Sequence, residues 1–224
     1  MVVGNGLIAR SFIEKYTNDD RYLIFASGVS NSKETRESEY FREIELIKKS
    51  ISEHPDKKFV YFSSSMIITG LETRYFKHKL KIHKLIQEIS KNYIIVMLPQ
   101  VFGNGGNGNN IVNFFIKKIK ENETVTIQKG AYRSIVDVTD VYNIVDYCID
   151  KSDRCILLLS HIELISVEKL IYNITTIFNK NITINYCSKD ISLNGSNSTL
   201  IDEAINRLMI DRNNYTMKVL KKYL

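Results

Sequence analysis

No apolar run in these 224 residues approaches the roughly 18 that a membrane-spanning helix needs, so a spanning segment is excluded. The first residues lack the basic-then-apolar layout of a secretory signal, and a cytoplasmic protein is expected. Cysteine is scarce: Cys148, Cys155 and Cys187 form no CxxC pair. An odd, scattered set fits buried thiols in a reducing compartment better than disulfides or zinc, and no metal site is expected. Sequons such as those at Asn122, Asn173 and Asn181 then count as chance matches, because glycosylation needs the secretory route. No internal repeat is present. The net charge of +6 and pI near 9.0 could serve nucleic acid, but the lysines are scattered, as in Lys117-Lys118 and Lys221-Lys222. Such spacing reads as solvated helix faces, so no nucleic-acid partner is expected. A mild positive field attracts a phosphorylated small molecule just as well.

What the chain does have is core-forming material. It is 44% hydrophobic and 25% charged, enough to bury a core in one domain spanning 1–224. Met1-Val2-Val3 is a short apolar start that reads as a strand, either clipped at its beginning or belonging to a chain whose start codon lies further upstream. Leu7 to Lys15 follows with helical spacing at Leu7, Ile8, Phe12 and Ile13. Tyr22 to Ala26 reads as a strand, Glu39 to Glu53 as an amphipathic helix and Phe59 to Phe62 as a buried strand ending in three serines. Tyr75 to Ser90 is a second clear helix. Tyr93 to Leu98 is a continuous apolar run of the kind a parallel strand covered on both faces shows. Beyond the Gly103–Asn110 loop come a helix (Ile111 to Lys120), a strand (Ile135 to Val138) and a helix (Asp140 to Ile149) with Thr139 or Asp140 near its N-cap. A strand (Cys155 to Leu159), a helix capped by Ser166, a strand (Ile182 to Tyr186) and a last helix from near Ser198 complete the chain. Strands alternating with helices predict an α/β fold, a Rossmann-like doubly wound parallel sheet.

Two local patterns carry chemistry. Gly4-Asn5-Gly6-Leu7-Ile8-Ala9 fits G-x-G-x-x-A between a strand and a helix. In that setting Gly4 makes the tight turn, Gly6 lets the backbone approach a pyrophosphate and Ala9 lets the helix pack closely. The phosphates would sit on the helix N-terminus, where free N–H groups favour an anion. Further on, Tyr75 and Lys79 are four residues apart on one helix face. A phenol is a poor acid-base group at its usual pKa near 10; a neighbouring lysine cation favours the phenolate. Ser65, at the end of the preceding strand, is placed to hydrogen-bond a substrate oxygen, as strand C-termini carry the sites of open α/β sheets.

In this order the motifs resemble the extended short-chain dehydrogenases/reductases, the NAD-dependent epimerase/dehydratase family that works on nucleotide sugars. The glycine turn is similar to that family's, one residue shorter. Ala26-Ser27-Gly28 resembles the small-residue end of its fourth strand. Phe59 to Ser65 resembles its V-Y-x-S-S-S strand, and Leu98-Pro99-Gln100-Val101-Phe102-Gly103 its R-x-x-N-V-Y-G segment. Asn109-Asn110-Ile111-Val112 looks like its nucleotide-contacting segment, and Tyr132 to Val141 resembles R-D-F-V-H-V-D-D-V.

The resemblance implies NAD or NADP as cofactor and a nucleotide-sugar substrate, in reactions such as those of polysaccharide biosynthesis. It implies Ser65, Tyr75 and Lys79 as catalytic residues. It implies cofactor contacts at Gly4, Asn5, Gly6, Leu7, Ile8, Ala26, Ser27, Gly28, Ser63, Tyr75, Lys79, Pro99 and Val101, and substrate contacts at Ser65, Gln100, Asn109, Asn110 and Arg133. A substrate lobe would come from about 104–130 and 160–224, and a homodimer would pair through the Tyr75–Ser90 helix.

The chain also departs from the family. Only some dozen residues separate the first helix from the strand ending in Ala26, where the family has two more strands; Gln100 replaces an asparagine; and the loop from Ser65 to Tyr75 is short. The Val2-Val3 strand is therefore expected at a sheet edge. The residue that reads the adenosine ribose is missing, which leaves NAD and NADP both open. Two readings follow: a compact oxidoreductase, epimerase or dehydratase, and a degenerate relative that binds such ligands without turnover.

Overall fold

A computed structural model describes residues 1–106, 108, 110–188 and 195–224. The chain runs through β1 (Val2–Val3), α1 (Leu7–Tyr16), β2 (Tyr22–Phe25), α2 (Glu37–Glu53) and β3 (Lys58–Ser64). A short 3-10 turn (Ser65–Thr69) leads to α3 (Arg74–Ile89), β4 (Tyr93–Leu98), β5 (Gln100–Phe102), α4 (Ile111–Lys120) and β6 (Val125–Gln128). Then come β7 (Tyr132–Arg133), β8 (Ile135–Asp137), α5 (Val138–Ile149), β9 (Cys155–Leu158), β10 (Ile165–Ser166), α6 (Val167–Phe178), β11 (Ile184–Cys187), α7 (Thr199–Arg207) and α8 (Tyr215–Tyr223).

Five strands form the main sheet in the order β1-β2-β3-β4-β9, and all neighbours are parallel. β1 is an edge strand, as the short spacing after α1 requires. Alternation along each strand sends side chains to two different cores. Tyr22, Ile24, Val60, Phe62, Ile94 and Val96 join the larger core with α1, α4, α5, α6, α7 and α8. Leu23, Phe25, Phe59, Tyr61, Tyr93 and Ile95 pack on the other face against Ile47 and Ile51 of α2 and Ile82 and Ile86 of α3. Both faces are covered, which is why these strands read as unbroken apolar runs.

Three two-stranded pairs surround the sheet: β5 with β8 and β6 with β11, both parallel, and β7 with β10, antiparallel. They bring Gln100 beside Ile135 and Arg133 beside Ile165, so the segments after β4 and before α5 meet at the C-terminal end of the sheet. The expected lobe elements α4, β6, α6 and β11 lean on the same large core as the sheet. One helix start and one whole element differ from the sequence reading in ways that matter for the site. α5 begins at Val138 because Asp137, not Thr139 or Asp140, is its N-cap, its side chain accepting from the Thr139 N–H at 2.8 Å. α8 was not anticipated; its Lys222 and Tyr223 both donate to Asp137, at 2.7 Å each.

Candidate active site

The C-terminal ends of β1 to β4 open into one cleft of about 910 Å³. Its lining includes Asn5 to Ile8, Ala26 to Ser32, Ser63, Ser64, Tyr75, Lys79, Leu98 to Val101, Asn110 and Arg133. Most residues singled out from the sequence thus face one space. Asn109 lies outside the described residues.

The glycine turn divides its work between two positions. Gly4 does not line the cleft. Its φ is +125°, and a Cβ there would fall 2.5 Å from the Ala26 carbonyl oxygen, so only glycine lets the end of β1 lie this close to the end of β2. Gly6 faces open space: a Cβ on it would meet nothing within 4 Å. It is the N-cap of α1 and supplies no side-chain cap, so the first N–H groups of that helix face the cleft without a side-chain partner. Arg10, one turn into α1, donates to the carbonyls of Asn5 (2.9 Å), Asn104 (3.3 Å) and Gly105 (2.9 Å), tying the loop after β5 to the glycine turn. Arg10, Arg42, Lys79 and Arg133 line the cleft, and none of its described lining residues is Asp or Glu. An uncapped helix start facing open space, with Arg10 tied to the glycine turn, fits the pyrophosphate of a dinucleotide.

Tyr75 and Lys79 do share one face of α3, with the ammonium 5.5 Å from the Tyr75 ring centre. Lys79 thus lies beside the phenol as expected, but it is also held by a partner that the sequence did not reveal. Lys79 is fully buried, and its ammonium donates to Glu43 Oε1 at 2.9 Å and to the Tyr61 hydroxyl at 2.7 Å. Glu43, on α2, is fully buried too. It also accepts from Tyr61 (2.5 Å), His78 Nε2 (2.9 Å) and the Val29 N–H (2.9 Å). Burial alone would push this carboxyl up, but Lys79, His78, Tyr61 and the Val29 N–H outweigh it and hold it at about 2. Burial pushes Lys79 down against the pull of Glu43. With a carboxylate held that low, the pair is ionic. Tyr75 is pushed up, first by burial and then by Glu43 and Tyr40. No described residue hydrogen-bonds its hydroxyl.

The three serines diverge. Ser63 Oγ lies 2.8 Å from His83 Nε2 in the interior. Burial and the Lys79 charge push that imidazole down to about 4, so it is neutral at pH 7. Ser64 lines the cleft and caps the 3-10 turn by accepting from the Met66 N–H at 3.3 Å. Ser65 departs from its expected place: it is wholly buried and lines not the cleft but an adjoining alcove of about 20 Å³, room for about one water. Ser64, Met66, Leu98 to Gln100, Arg133 and Ser134 also line this alcove, so it opens beside the expected substrate residues Gln100 and Arg133. Among the described residues the hydroxyls of Ser65 and Ser134 have no hydrogen-bond partner. Arg133 donates to the Tyr132 carbonyl at 2.7 Å, and Asn110 caps α4 by accepting from the Asn113 N–H at 2.8 Å.

Sequence reading missed Glu43, Arg10 and His83. Glu43 had a legible signal. It falls in line with Tyr40, Ile47 and Ile51 on the buried stripe of α2, where an unpaired charge is not tolerated. Its partners come from β3 and α3, so the pairing itself was out of reach.

No family model matches the chain, and no curated protein matches it in sequence. Solved structures do resemble it. A dTDP-glucose 4,6-dehydratase from Bacillus anthracis, in complex with NAD, superposes with a TM-score of 0.68 at 11% identity, over 98% of this chain and 79% of that one. A UDP-glucose 4-epimerase from Thermotoga maritima, with UDP-glucose, gives 0.66 at 15% identity, over 97% and 83%. A dTDP-4-dehydrorhamnose reductase from Clostridium acetobutylicum gives 0.65 at 14%, over 97% and 84%. The chain therefore has the Rossmann-like fold shared by these nucleotide-sugar epimerases, dehydratases and reductases.

Proposed function

We propose that the protein is an oxidoreductase or epimerase that uses a nicotinamide dinucleotide, NAD or NADP, on a nucleotide-activated sugar. One observation carries this reading: the uncapped glycine turn, Tyr75 with Lys79, and Arg133 all line one cleft whose described walls hold no carboxylate. Structures of the same fold in complex with NAD and with UDP-glucose support it. The backbone from Asn5 to Ile8 would hold the pyrophosphate, with Ala26 to Gly28, Ser63, Pro99 and Val101 as further cofactor contacts. The cofactor supplies the hydride. Tyr75 moves a proton at its hydroxyl oxygen, Lys79 sets the charge beside it, and Arg133, Gln100, Asn109 and Asn110 orient the sugar nucleotide. Ser64, which faces the cleft, and Ser65, in the alcove, both lie on the substrate side.

The test is a fluorescence titration of the purified chain with NADH and NADPH, followed by turnover with UDP- and dTDP-sugars. Saturable dinucleotide binding and turnover that fails in Tyr75→Phe are expected; absence of dinucleotide binding would overturn the reading. A second reading, binding without turnover, is favoured by the capture of Lys79 and the burial of Ser65. It predicts ligand binding with no Tyr75-dependent rate. The segments 104–130 and 160–224 would close over the sugar. A homodimer through α3 would cover its exposed Leu80 and the exposed Phe41 of α2. The three free thiols suit a reducing, cytoplasmic setting.

A further inference from the structure

The Glu43 network calls for an explanation that folding alone does not supply. A buried ion pair is weak evidence for stability, because taking two charges out of water offsets their attraction. Here the carboxylate lies just behind the cleft wall, screened from it by Gly28. Gly28 lines the cleft, and a Cβ on it would fall 2.7 Å from Glu43 Oε1 and 3.0 Å from Lys79 Nζ. The charged and titratable groups around Tyr75 are Glu43 and Tyr40 from α2, Tyr61 from β3, and His78 and Lys79 from α3. Arg74 lies 5.1 Å from the Tyr40 ring, and Arg42 adds a more distant charge. Lys79 is the cation over the Tyr75 ring, 5.5 Å from its centre, and two of its three protons are already committed, one to Glu43 and one to Tyr61.

We infer that Glu43 sets this site for carbonyl reduction: it holds Lys79 in a buried ion pair and leaves Tyr75 as the undissociated phenol that hands a proton to the carbonyl oxygen. The inference rests on the nicotinamide-dependent reading above. In the reductive step the carbonyl carbon gains a hydride from a reduced nicotinamide dinucleotide, which leaves oxidised. The carbonyl oxygen takes the Tyr75 proton, and the phenolate regains a proton from water. In the opposite direction Tyr75 must begin as phenolate, a form that a phenol of ordinary pKa populates to only about 0.1% at pH 7. Glu43 lowers that fraction further by pairing with the cation that lies over the ring. Glu43 is a positioning residue: it acts on the substrate only through Lys79 and Tyr75.

The experiment uses the cofactor-free full chain labelled with ¹³Cζ-tyrosine, with Tyr75→Phe assigning the resonance. In the parent, Tyr75 should not titrate below about pH 10. In Glu43→Gln, which keeps an acceptor for Lys79, the midpoint should fall by a pH unit or more, a tenfold loss of proton affinity. A parent midpoint below about 10, or a folded Glu43→Gln with an unmoved midpoint, would overturn the inference. Should Glu43→Gln not fold, Glu43→Leu/Lys79→Met removes both charges together, a change often tolerated at buried pairs. There, with no cation left to free, the midpoint should stay within about half a pH unit of the parent's; a fall of about a unit or more, or a rise of that size, would overturn the inference that Glu43 acts by capturing Lys79. With dinucleotide and substrate bound, the basic limb of the reductive pH profile should shift down alongside the Glu43→Gln midpoint. If no dinucleotide binds, the functional reading falls, while the tyrosine titration still decides what Glu43 does.

Discussion

Tyr75 and Arg133 occupy the same cleft with different tasks, and their removal should be told apart by what is lost. Tyr75→Phe keeps the ring against Phe76 and removes the transferable proton. Proton transfer by a positioned side chain is worth about 10²–10⁴ in rate, so turnover should fall by that factor while equilibrium dialysis shows sugar-nucleotide binding intact. Arg133→Ala removes a charged contact worth roughly 1.5–3 kcal/mol, so affinity should drop about ten- to a hundred-fold. His83 and Glu43 carry a pH signature. His83 is held at about 4, below its unfolded value near 6.5, so the unfolded chain takes up the proton first. Its stabilisation is complete above about pH 6.5 and is lost as pH falls toward 4. Glu43, held at about 2, adds stability that is present above the unfolded value near 4.3 and fades as pH falls toward 2. Urea melts should therefore weaken from pH 7 to 4, and a folded His83→Gln should flatten the upper part of that slope. A pH-independent midpoint over this range would contradict the buried, neutral imidazole.

Among the elements, the turn joining β1 to α1 is the most tightly determined. Gly4→Ala would place a methyl group 2.5 Å from the Ala26 carbonyl oxygen at a φ of +125°. A residue forced into such a conformation costs of order 1–3 kcal/mol. Urea denaturation of Gly4→Ala should show a loss of at least that size, whereas Gly6→Ala, which meets nothing, should stay near the parent in stability and instead weaken dinucleotide binding. Periodicity located α1, α2, α3 and α4 to within two residues at either end, because each carries one apolar stripe against a core. It did not locate α8: Tyr215, Val219 and Leu220 are buried, but among so many polar neighbours the stripe is recognisable only with the core behind it. The same limit hid β5, β6 and β7, each too short to show a period and each held by a partner distant in sequence.

At the scale of the whole molecule, charge and association are the measurable properties. A cleft lined by Arg10, Arg42 and Arg133, with the charge of Lys79 offset by Glu43, should draw anionic ligands through a field that salt screens. Raising ionic strength from 0.01 to 0.15 M shortens the Debye length from about 30 to about 8 Å, so stopped-flow association with a dinucleotide should slow appreciably. A salt-independent rate would indicate a site with no net positive field. If α3 forms the dimer contact, Leu80→Lys should shift sedimentation toward the monomer without changing the tyrosine titration.

The sequence by itself determined what local rules determine: alternating strands and helices, the glycine turn, the helix that places Tyr75 and Lys79 on one face, and an edge position for β1 from the short spacing after α1. These follow from periodicity and steric demands acting within a few residues. Only the tertiary structure decided which charge meets which. Glu43 and Lys79 are far apart in the chain and paired in space, so Lys79 is captured rather than free. Ser65 is turned into an alcove because β3 ends one residue before it and the chain bends into the 3-10 turn. Electrostatic and hydrogen-bond partners in a buried interior are chosen by packing between distant segments, and no spacing along the chain records that choice.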